Sequence, residues 1–190
     1  MSFAGNIKKK LAERRIRSEA ALLRREKTAF NIAEAKTIGI VYLFTGSEEF
    51  ELLKKYVSYL RELKKKVKVV VYYHGKQEPY VQYSKIDYDF FGVKSHNWYG
   101  KPSDHILKNF MEEPFDILID INFTGEPVLT FLSALSMAKF KIGLYEDDNY
   151  IHDMQIESSA GKGLKFFLRQ VDTYLMKINT PMNDGATGAA

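Results

Sequence analysis

The chain has 190 residues, of which 45% are hydrophobic and 27% charged, and it has no cysteine. That length suits one ordinary domain with an appendage, and the absence of thiols excludes a disulfide-stapled secreted scaffold and a thiolate zinc site. The net charge of +4 is unevenly spread: residues 1–36 hold ten basic and four acidic side chains, and residues 87–190 hold nine basic and fifteen acidic.

From Thr37 onward the chain sums to −2, so its basicity belongs to the first 36 residues. The start reads Asn6-Ile7-Lys8-Lys9-Lys10-Leu11-Ala12-Glu13-Arg14-Arg15, which is no apolar leader. The longest apolar runs fall far short of the roughly 20 residues that span a bilayer. A cytoplasmic protein without a membrane span is the expectation.

Residues 6–36 contain neither Pro nor Gly and are rich in helix formers, which predicts one long basic helical arm over 1–36. Its apolar stripe is thin, with Ile7 and Leu11, then a phase shift to Ile16, Ala20 and Leu23. An arm of that kind lies across a surface or reaches away from the body. Thr37 to Phe44 is a β-branched and aromatic run expected to form a strand buried on both faces. Thr45-Gly46-Ser47 breaks it, and a helix capped by a hydroxyl of Thr45 or Ser47 is expected to about Lys65. Val67 to Tyr73 is a second buried strand, which completes a βαβ unit.

From His74 to Pro102 there is no helical period. Short edge strands are expected near Tyr88–Phe91 and His96–Tyr99. Beyond it the pattern predicts a helix from Pro102 to Glu113, a strand from Phe115 to Ile121, a helix from Pro127 to Lys139, a strand from Phe140 to Leu144 and a closing helix over Gly163 to Ile178. A small, polar tail, residues 179–190, is expected to be disordered. The alternation gives a single α/β domain over 37–178, a three-layer, mostly parallel open sheet of Rossmann-like type.

No catalytic motif stands out. The first strand–helix turn has one glycine, no Walker lysine and three glutamates, which would repel a phosphate. Asp116 and Asp120 share one face of their strand, and Asp120 lies near its carboxyl end, where open α/β sheets place ligands. Asp120 is a candidate metal ligand, general base or acceptor for a ligand hydroxyl; the competing reading is a purely structural carboxylate. Asn122 follows it as a second ligand-binding candidate.

Glu146, Asp147, Asp148, Asp153 and Glu157, with His152 among them, match no calcium loop and read as a solvated acidic surface. His74, His96, His105 and His152 form no metal-spaced pair, and Ser133 and Ser136 have no glycine elbow. No cofactor and no metal site are expected. Tyr72 to Tyr99 holds nine aromatics in 28 positions, interleaved with Lys76, Lys85, Lys94 and Lys101. Trp98 and Tyr99 are the candidates there for stacking on a ligand or anchoring a protein partner.

Lys8, Lys9, Lys10, Arg14, Arg15, Arg17, Arg24 and Arg25 make the arm a candidate surface for phosphate backbones. The alternatives are an anionic membrane surface and docking on the acidic half of the same chain or of a second copy. The favoured expectation is a non-catalytic protein attached through this arm to RNA or an RNA–protein particle. The rivals are a sugar or nucleotide enzyme built on Asp120 and a homo-oligomer joined through the arm.

Phe115-Asp116-Ile117-Leu118-Ile119-Asp120-Ile121-Asn122, the run Leu132 to Leu144, and Asn97-Trp98-Tyr99-Gly100-Lys101-Pro102 resemble a family of uncharacterised proteins from Bacteroidota. The likeness covers most of residues 37–178 and carries no established activity. The pattern of a strand with Asp, a helix and a strand ending in Ile-Gly also resembles the N-terminal half of heptosyltransferase-type glycosyltransferases. Those enzymes pair two nucleotide-fold domains, so this resemblance implies a partial enzyme here.

Overall fold

A computed structural model describes residues 3–75, 79, 88–157 and 163–178. Six strands form one sheet: β1 Thr37–Leu43, β2 Lys66–Tyr72, β3 Tyr88–Phe91, β4 Ile117–Ile121, β5 Phe140–Leu144 and β6 Met154–Ile156. The order is β3-β2-β1-β4-β5-β6, and every pairing is parallel. This is the strand order of the doubly wound Rossmann arrangement, with its reversal beside β1. Among the described residues the α-helices are α1 Phe3–Ala20, α2 Ser47–Glu62, α3 His105–Glu112, α4 Pro127–Leu135 and α5 Gly163–Leu175.

Two cores follow from the side-chain period of two in the strands. On one face Ile38, Ile40, Val69, Val71, Ile117, Ile119 and Ile142 meet Phe50, Leu53, Val57 and Leu60 of α2 and Phe167, Val171 and Leu175 of α5. On the other, Val41, Val70 and Leu118 meet Leu107 and Phe110 of α3 and Val128, Leu129 and Leu132 of α4. The central strands are therefore apolar on both faces apart from Asp120 near the end of β4, as a sheet covered on both faces requires.

The long-helix expectation for 6–36 is corrected. Only Phe3–Ala20 is helical, and residues 21–36 run as turns and irregular chain along the amino-end side of the sheet. They are held by tertiary contacts that outweigh helix propensity: the amides of Thr28 and Ile32 donate to the carbonyls of Lys139 and Leu175 at 3.2 Å each. Ile32 and Ala35 enter the main core. The helix α1 lies across α4, with Ala12 and Ile16 buried against Phe131, Ala134 and Ile151 in a third cluster.

Other expectations shift as well. His96–Tyr99 forms no strand; it makes a tight turn closed by a single antiparallel bridge from His96 to Pro102. The strand β6 was not anticipated, its three residues being too few to show a period. The helix α2 starts after Gly46 with no side-chain cap, because the Thr45 hydroxyl is donated to the Glu49 carboxylate instead. The helix α4 stops at Leu135, and the Ser136 hydroxyl accepts from the Ala138 amide in the turn into β5. Tyr80, Tyr83, Lys76, Lys85 and the 179–190 tail lie outside the described residues. Among the described residues no helix is long and apolar enough to cross a membrane.

Candidate functional site

The arm divides its cations into two sets. Arg25 lies along the body: its guanidinium donates to both carboxylate oxygens of Asp153 at 2.6 and 2.7 Å and to the carbonyls of Ala138 and Lys139 at 3.1 and 2.9 Å. Arg17 pairs with Asp148 and stacks over the Tyr150 ring at 4.3 Å. On the opposite flank Glu19 accepts from the ammonium of Lys101 at 2.7 Å. Lys8, Lys10, Arg14, Arg15 and Arg24 make no ion pair with another described residue. Lys10, Arg14, Arg15 and Arg24 are exposed, whereas Lys8 is half-buried. Lys9 turns toward a cleft beneath α1.

Asp153, read from sequence as part of a solvated acidic surface, is instead a structural pin. Besides Arg25, its Oδ2 accepts the Lys141 amide at 2.9 Å. Asp116 is also committed. Its carboxylate accepts the amides of Lys36 and Thr37 and the Lys139 ammonium. Burial would raise its pKa, but these donors outweigh that and hold it below the ordinary carboxylate value.

Asp120 is different. It sits one residue from the carboxyl end of β4, 5% exposed, with Oδ2 3.0 Å from His152 Nε2. Asp120 Oδ1 and His152 Nδ1 are both buried without a hydrogen-bond partner among the described residues. His152 reaches Asp120 because residue 143 is glycine: a Cβ there would collide with the imidazole. Asn149 fixes the approach of the loop, its carbonyl oxygen taking the amides of Ile151 and His152 at 3.0 Å each.

Behind this pair, Lys141 is 1% exposed and gives its ammonium to the Ala134 carbonyl at 2.9 Å. Burial, with Arg25 and Lys27 nearby, pushes its pKa down to about 7 against the pull of Asp153 and Asp120.

Asn122 is already spent on the fold. Its side chain accepts the Glu126 amide at 2.8 Å and donates to the Glu126 carbonyl and the Thr130 hydroxyl, closing the turn into α4. That turn also uses Gly125 at φ 65°, where a side chain would strain the backbone.

The structure does not bring Trp98 and Tyr99 to Asp120. Tyr99 packs against Phe131 in the third cluster, and Trp98, 63% exposed, stands edge-on to Tyr99 at 5.4 Å. Instead Tyr72, His74, His96 and Glu126 gather at the carboxyl side of β2, where the Tyr72 hydroxyl lies 3.3 Å from His96 Nε2 and His74 Nε2 lies 3.4 Å from Glu126. Burial, with Glu126 nearby, pushes the Tyr72 pKa up to about 12. Among the described residues, no group of three or more histidines and acids is placed to hold a metal ion.

The model of a family of unknown function, DUF6913, matches residues 8–178. The chain belongs to this family. No curated protein matches it. The DUF6913 match supports the uncharacterised family read from residues 115–122 and 132–144. It also begins earlier than that reading, taking in the arm from Lys8 with the α/β body, the two parts that Ala12, Ile16, Ile32 and Ala35 pack together.

Reading the sequence missed His152 as the partner of Asp120, and Lys141 as a buried amine. One signal was available: a glycine inside a β-branched strand, as in Ile142-Gly143-Leu144, marks a close approach by another group.

Proposed function

We propose that the protein is a non-catalytic binding protein that attaches to RNA, or to an RNA–protein particle, through the outer side of α1. The observation that supports this is the split among the arm's cations. Arg17 and Arg25 are used to fasten the arm, while Lys8, Lys10, Arg14, Arg15 and Arg24 have no carboxylate partner among the described residues.

Unpaired cations at this density add nothing to packing, and their repulsion opposes the helix. Phosphates would relieve that repulsion and release counterions. The acidic back half faces away from this role by charge, so the anionic partner belongs at the helix.

Fluorescence anisotropy with a labelled single-stranded RNA, over a salt series, tests the reading. Neutralising about four phosphates predicts a slope of log affinity against log salt near −3 for single strands. Replacing Lys8, Lys10, Arg14 and Arg15 together by alanine should remove binding while leaving thermal stability within a few degrees of the parent. Binding that ignores salt, or that survives the fourfold change, would overturn it.

A second reading is favoured by the partners of Arg17 and Arg25, which both lie in the acidic half. Two copies could exchange arms and make the same pairs between chains. A dimer in sedimentation that dissociates on Arg25→Ala would support that reading.

A further inference from the structure

A cleft runs beneath α1, between that helix, the start of α4 and the loop from Glu146 to Ile151, with a volume of about 280 Å3. Thr130, Glu146 and Ile151 are shared between its wall and that of a smaller inner space bordered by Asp120 and His152. The inner space holds about 20 Å3, room for one group the size of a water molecule.

The inner end has an unmet chemical need. Asp120 and His152 side chains are each 6% exposed, and Asp120 Oδ1 has no donor among the described residues. A buried carboxylate oxygen left without a hydrogen bond is costly, so the fold leaves a place for a donor supplied from outside the chain. The outer cleft carries Glu13, Glu146 and Asp148 against Lys9 and Arg17, and Arg17 is already paired with Asp148. With Asp120 the balance is negative, which opposes a phosphate or carboxylate and favours a cation.

We propose that this cleft binds a small primary amine, its ammonium seated on Asp120 Oδ1 and its body lying in the outer cleft under α1. An ammonium matches the inner space in size, supplies the missing donor and meets the local charge. This is a separate surface from the outer cations of α1, and it does not depend on RNA binding. A chain that binds no RNA can still bind the amine.

The test uses the full chain and two matched probes, glucosamine and glucose, with putrescine as a second amine. Binding is read from amide chemical shifts of Gly143 and Asp120 in a titration. Glucosamine or putrescine should move these resonances saturably while glucose does not, and Asp120→Asn should weaken binding at least about tenfold. Glu146→Gln, on the wall shared by the two spaces, gives a second variant should Asp120→Asn fold poorly, and it should weaken amine binding too.

Three results would overturn the proposal. They are equal shifts with glucose, unchanged affinity in both variants, or no saturable shift with either amine, which would assign the inner space to a structural water alone.

Discussion

The guanidinium of Arg25 grips both carboxylate oxygens of Asp153, 128 residues further along the chain. Asp153 also holds the backbone of Lys141, so this one contact joins the irregular strap of residues 21–36 to β5 and to the start of β6. The Arg25 side chain is 6% exposed and that of Asp153 17%, so the pair is shielded from solvent screening on most sides. It is the fastening that makes the basic N-terminal segment part of the fold.

Removing the cation should therefore destabilise the whole body. Arg25→Ala deletes two charge-assisted bonds and two bonds to carbonyls, and among the described residues leaves Asp153 with Lys27, at 3.7 Å, as its cationic partner. A cost of about 2–4 kcal/mol is expected in urea denaturation, with faster proteolytic cleavage between Leu22 and Lys36. Arg25→Lys should recover only part of this, because an ammonium cannot bridge both oxygens while reaching two carbonyls.

The buried amine of Lys141 gives a pH signature. Its folded pKa, about 7, lies below that of the unfolded chain, about 10.4. Between these values the unfolded state binds more protons, so stability rises with pH from 7 to 10. Below pH 7 the amine is charged in both states and the burial penalty is full. Lys141→Met should stabilise the protein by about 1–4 kcal/mol at and below pH 7, with the gain shrinking toward pH 10. Denaturation midpoints of both proteins at a series of pH values check this.

Asp116 predicts a slope of the same sign, stability rising with pH, but in the acid range. Its folded pKa is lowered, so its contribution is present above the unfolded value of about 3.9 and is lost as pH falls through the folded one. Asp116→Asn should cost a roughly constant amount above about pH 5, with the two proteins converging in acid. Acid titrations followed by circular dichroism would show it.

Gly143→Ala tests the placement of His152. The added Cβ would meet the imidazole rather than backbone, so the ring can move away and the sheet survives. The expected result is a loss of about 1–3 kcal/mol with the Asp120 contact broken. Histidine proton shifts, assigned against His152→Gln, would report the change.

Much of this architecture was legible in the residues. Runs such as Ile38 to Leu43 and Ile117 to Ile119 are apolar on both faces, which a sheet covered on both faces explains, and the helices between them favour parallel strands. The site was legible only in part. Asp120 stands out as a candidate in the sequence because its distance from the strand's carboxyl end is a local property. Its partner His152 lies 32 positions away, and no spacing rule connects the two.

By itself, then, the sequence determined the layered α/β sheet, the family and the basic character of the arm, since periodicity, propensity and charge are carried by neighbouring residues. Tertiary structure alone decided that the arm is helical only to Ala20, that Arg17 and Arg25 fasten it, and that Asn122 is a turn clamp while Asp120 keeps an unmet oxygen. The physical reason is that helix propensity is worth less than about 1 kcal/mol per residue. Carbonyls of Ala138 and Lys139 and the carboxylate of Asp153, brought from far along the chain, offer the residues after Ala20 stronger bonds than a continuing helix could.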